Sequence, residues 1–95
     1  MKVRDLLTDE TRWTKGVSAR NALGQGGVCY DDPSATSWCL AGAIHKCYGI
    51  DGWDPIAKRV YALIQPLPKG GMGEWNDDPA RSFSEVRALV EELDI

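Results

Sequence analysis

Two segments of this 95-residue chain set a tryptophan beside side chains able to do chemistry. Ala35-Thr36-Ser37-Trp38-Cys39-Leu40-Ala41-Gly42-Ala43 embeds a thiol in small residues. Trp75-Asn76-Asp77-Asp78-Pro79-Ala80-Arg81-Ser82-Phe83-Ser84-Glu85-Val86 places an amide, carboxylates and a guanidinium after an aromatic ring. Aromatic stacking next to polar and basic groups suits a small molecule or nucleotide. Trp75, Asn76, Asp77 and Arg81 are therefore the candidate binding residues, with Arg81 as an anion contact and Arg20 as a further basic group. The competing reading is structural: Asn and Asp ahead of a helix accept hydrogen bonds from its free N–H groups, and a tryptophan left in water is costly. On that reading Trp75 anchors a loop to the core and at least one of Asn76 and Asp77 is a cap.

A thiol enzyme would take Cys39 as nucleophile, His45 as base and Asn76 or Asp77 as orienter. Residues 39 and 45 lie about 600° of helical rotation apart on one helix, which puts them on different faces. Cys39 is expected to be a buried packing residue. A zinc site from Cys29, Cys39, Cys47 and His45 lacks ligand spacing, and three cysteines with no Cys-x-x-Cys do not form a disulfide framework. Gly24-x-Gly26-Gly27 offers backbone N–H groups but neither the Lys-Ser/Thr of a phosphate loop nor a dinucleotide fingerprint. No catalytic residue, metal or cofactor is implied.

The elements that must position these residues follow from pattern. At 95 residues, 43% hydrophobic and 26% charged, the chain is expected to be one domain over 1–95, mainly α. A formal charge of −3 argues against a nucleic-acid groove. No apolar run reaches the roughly 20 residues of a membrane span, and Met1 to Asp5 lack a signal-peptide core, so a cytoplasmic location is expected.

Val3, Leu6 and Leu7 mark a short first helix. Two weakly alternating stretches, Val17 to Arg20 and Val28 to Tyr30, read as a possible short β-hairpin turned by residues 21–27. Asp32-Pro33 is a start signal for a central helix running to Tyr48 and stopped by Gly49, with Ala35, Cys39 and Gly42 as a stripe open to close packing. Asp54-Pro55 starts a third helix, with Ile56, Ala57, Val60, Leu63 and Ile64 on its apolar side, ending before Pro66. Pro66 to Glu74 reads as a long loop. Ser82 and Glu85 form a capping box ahead of Val86, Leu89, Val90 and Leu93, the last of four helices. Glu91, Glu92 and Asp94 oppose its dipole, so its final turn is expected to fray.

Trp13-Thr14-Lys15-Gly16, the Ala-x-x-Trp-Cys-x-x-Gly-Ala segment at 35–43, and Trp75-Asn76-Asp77 followed by Arg81 and Glu85-Val86 occur in this order across most of the chain. In this the chain resembles a family of small proteins encoded by phages and by actinobacterial and other bacterial genomes, with Ser82 where that family typically has Thr. The resemblance implies a fold and an origin but no reaction. The expected function is a small non-catalytic interaction or binding domain with a protein partner. A ligand-binding module at Trp75-Asn76-Asp77 and a Cys39 thiol enzyme are the alternatives.

Overall fold

Helix α5, Phe83–Leu93, forms where its apolar period and capping box require. Ser82 Oγ accepts from Glu85 N at 3.4 Å, and the Glu85 carboxylate accepts from Ser82 N at 3.1 Å. The computed structural model describes all of residues 1–95 and is mainly helical. In chain order it holds α1 (Val3–Leu6), a 3₁₀ turn (Glu10–Arg12), β1 (Ala19–Asn21), β2 (Ala35–Trp38), α2 (Leu40–Tyr48), α3 (Trp53–Leu63), α4 (Gly71–Asp77) and α5. Seventeen buried side chains from both ends and the middle of the chain make one core, with Leu7, Leu40, Ile44, Val60, Met72, Val90 and Ile95 near its centre.

The four-residue α1 is far shorter than an isolated helix can sustain, since nucleation costs more than one turn returns. It persists because Val3, Leu6 and the following Leu7 are buried, at roughly 1.5–3 kcal/mol for each large aliphatic side chain. The Arg87 guanidinium on α5 also donates to the carbonyls of Arg4 and Leu7.

Three expectations are corrected. The hairpin expected between 17–20 and 28–30 exists with a different second strand: β1 pairs antiparallel with β2, and Val28 contributes only an isolated bridge to Ala19. The central helix therefore starts at Leu40, not after Asp32-Pro33. Asp32 uses its carboxylate in a local turn, accepting from Ser34 N and Oγ, which leaves residues 35–38 free to pair across the sheet. Gly49 ends α2 as its sequence position indicated.

The second correction is α4, which occupies Gly71–Asp77 inside the segment read as a loop. Gly70, Gly71 and Gly73 hide the helix from propensity, and Met72 at 2% exposure is the burial that holds it in place. Trp75, Asn76 and Asp77 thus lie within a helix, so they do not cap α5. The third correction is the C-terminus of α5. Instead of fraying, the chain closes in a left-handed turn at Asp94, Ile95 is fully buried, and its carbonyl accepts from Arg4 N at 3.3 Å.

Candidate functional site

Asn76 is fully buried and uses every hydrogen-bonding valence of its amide. Its Oδ1 accepts from Trp13 Nε1 at 2.7 Å and from Leu40 N at 3.0 Å. Its Nδ2 donates to Thr14 O at 3.1 Å and to Asp77 Oδ1 at 2.9 Å. Leu40 is the first residue of α2, so Asn76 satisfies one of that helix's free N–H groups from 36 residues away. The same N-terminus has a second cap in Cys39, whose Sγ accepts from Gly42 N at 3.2 Å.

Around this node the segments bearing Trp13, Trp38 and Trp75 meet. Asp77 Oδ1 also accepts from Gly16 N at 2.9 Å, where a φ of +84° favours glycine. Lys15 reaches across to the carbonyls of Asp78 at 2.7 Å and Arg81 at 2.9 Å while lying over the Trp13 ring. Thr14 N donates to Trp38 O, and Trp38 Nε1 donates to Tyr30 O. Lys15 thereby supplies donors to backbone carbonyls in the turn after α4. The assembly is a clasp that holds α4, β2 and the start of α2 together.

Arg81 stacks its guanidinium 3.9 Å from the centroid of the half-buried Trp75 ring. Its Nε donates to Trp75 O at 3.0 Å and its Nη1 to Glu85 at 2.6 Å. The hydrogen bond from Ser82 N, and then the Arg81 guanidinium, hold the Glu85 carboxyl below its ordinary range. Arg20 is likewise engaged with Thr14 Oγ1, Gly24 O and Lys15 O.

The four candidate binding residues thus divide. Trp75 and Arg81 line an open groove of about 560 Å³ between the end of α3, the segment after it and α5. Leu63, Pro66, Ala88 and Leu89 give it apolar walls, and Asp78, Glu85 and Glu92 charge its rim. Asn76 faces inward to the clasp, and Asp77 borders a separate polar notch of about 300 Å³ with Glu74 and Asp78. Leu63, at 40% exposure, is a large apolar side chain that this groove leaves partly in solvent. The apolar period of α3 placed Leu63 on its buried side and could not show this.

The thiol constellation is not assembled as a nucleophile and base. Burial pushes the Cys39 thiol up, and the His45 ring stacks between Trp53 at 4.2 Å and Tyr30 at 5.1 Å. The His, Cys, Asp and Glu side chains form no group of three or more able to hold a metal ion, and no helix is long and apolar enough to cross a membrane.

Residues 1–93 match the model of a family of unknown function, DUF6197, and the chain belongs to that family. No curated protein and no solved structure matches it.

Proposed function

We propose, with membership in a family of unknown function as the premise, that this chain is a small non-catalytic interaction domain whose groove between α3 and α5 docks a protein partner. The observation that carries the reading is the pairing of an exposed leucine with a rigid aromatic wall. Leu63 stands in solvent beside a Trp75 ring already fixed by Arg81, so little side-chain freedom is lost when a partner seats there. The acidic rim disfavours a phosphate backbone as the occupant. Three free thiols suit a reducing compartment, in keeping with a cytoplasmic setting, and phage association belongs to the same proposal through the motif resemblance.

The test is affinity capture with the full chain against a double variant, Leu63→Gln with Ala88→Gln, which makes both walls polar and plugs the groove. Both positions are exposed and glutamine is a good helix former, so the variant should melt as the wild type does. A specific protein retained by the wild type and lost by the variant is expected. Equal retention by both would overturn the groove as the docking face.

A further inference from the structure

We infer that the groove receives a cationic peptide segment, with an apolar side chain flanked by lysine or arginine, an assignment that rests on reading the groove as a protein-docking face. Glu85, Ala88, Leu89 and Glu92 recur at i, i+3, i+4 and i+7 and line the groove from one stripe of α5. Carboxylates therefore stand at either end of an apolar patch, about 10 Å apart along the helix axis. Asp78 adds a further carboxylate to the rim.

The single cation in the lining, Arg81, is already engaged. It is bonded to Glu85 and to Trp75 O and lies flat on the Trp75 ring. Turning it toward an incoming anion would uncover that ring and leave Glu85 without its ion pair. The Glu92 side chain by contrast makes no hydrogen bond or ion pair, and the Asp78 carboxylate accepts only from Ala80 N. Those are the groups free to meet an occupant, and both are negative. An acidic segment would meet uncompensated like charge, whereas a basic one finds complementary charge around a site for its apolar anchor.

The probe is a display library of random dodecapeptides selected on the full chain, followed by fluorescence anisotropy of one enriched peptide. Enriched sequences should carry Lys or Arg on both sides of an apolar residue. Glu92→Lys should weaken the enriched peptide about two- to fivefold, as for exposed charge pairs, with the loss shrinking at high salt. Leu63→Gln with Ala88→Gln should abolish binding without altering the melt. If the enriched peptides are neutral or acidic, or Glu92→Lys is without effect while the double variant still abolishes binding, the cationic occupant is overturned and the docking groove stands. If nothing is enriched, or the double variant binds as the wild type does, both readings fall.

Discussion

Asn76 holds three distant parts of the chain through one amide, and that concentration makes it the most sensitive single position. Asn76→Ala would leave the buried Leu40 N–H and the half-buried Trp13 indole N–H without partners. The expected loss is roughly 2–5 kcal/mol in urea unfolding, since each stranded donor costs its desolvation. A loss below about 0.5 kcal/mol, the range of ordinary surface changes, would show that water or a rearranged partner replaces the amide. Cys39 behaves differently because its sulfur is only one of two caps. Cys39→Ser keeps an acceptor for Gly42 N and should be nearly neutral, whereas Cys39→Ala should cost about 0.5–2 kcal/mol. Thiol labelling of the native protein should begin at exposed Cys29. Cys47 is pushed up to about 11 chiefly by burial. With the folded value raised above 9.0, its contribution to stability is intact below 9.0 and is lost as pH climbs toward 11. Rapid neutral-pH labelling of Cys39 or Cys47 would contradict their burial.

Among the elements, α2 shows how close packing limits substitution. A Cβ built on Gly42 would stand 2.2 Å from Ser18 O, a backbone atom of the segment leading into β1. The close approach expected of the Gly42 position is present, but its partner is the bend ahead of β1 rather than another helix. Gly42→Ala should therefore destabilise by on the order of 1–3 kcal/mol, because neither the helix nor the paired backbone can give way cheaply. A raised melting temperature for Gly42→Ala would show that the helix and Ser18 separate at little cost. Helix α4 has no side-chain cap at its N-terminus and relies on Glu74 accepting from Gly70 N at 2.6 Å and on the burial of Met72 and Asn76.

For the molecule as a whole, the two chain ends are tied together. Asp94 pairs with Lys2 at 2.7 Å and with Arg4 at 2.9 Å, and Ile95 packs in the core. The hydrogen bond from Lys2 leads the causes that hold the Asp94 carboxyl below its ordinary 3.8. A carboxyl lowered in the folded state supports the fold above 3.8, and that support is lost as pH falls through the folded value. Urea midpoints measured between neutral and acid pH should fall less steeply for Asp94→Asn than for the wild type. Identical pH profiles would show that the pair is screened by solvent. Ile95→Ala should cost roughly 2–5 kcal/mol, which a frayed final turn would not.

What the sequence determined by itself was whatever a few adjacent residues decide. The capping box at Ser82 and Glu85, the apolar period of α5 and the stop at Gly49 depend on neighbours within one or two turns, and each stands where the pattern put it, whereas α3 starts at Trp53, ahead of Asp54-Pro55, and leaves Leu63 of its apolar side exposed. Tertiary structure decided the rest. Asp32-Pro33 could have started a helix, but pairing with 19–21 draws 35–38 into a strand. The glycines around Met72 gave no helical signal, and burial supplied what propensity withheld. Asn76 and Arg81 carried the right chemistry for either a cap or a ligand contact. Only the folded chain reveals which atoms face Trp13, Leu40 and Trp75, because those partners are brought together by long-range packing and not by spacing along the sequence.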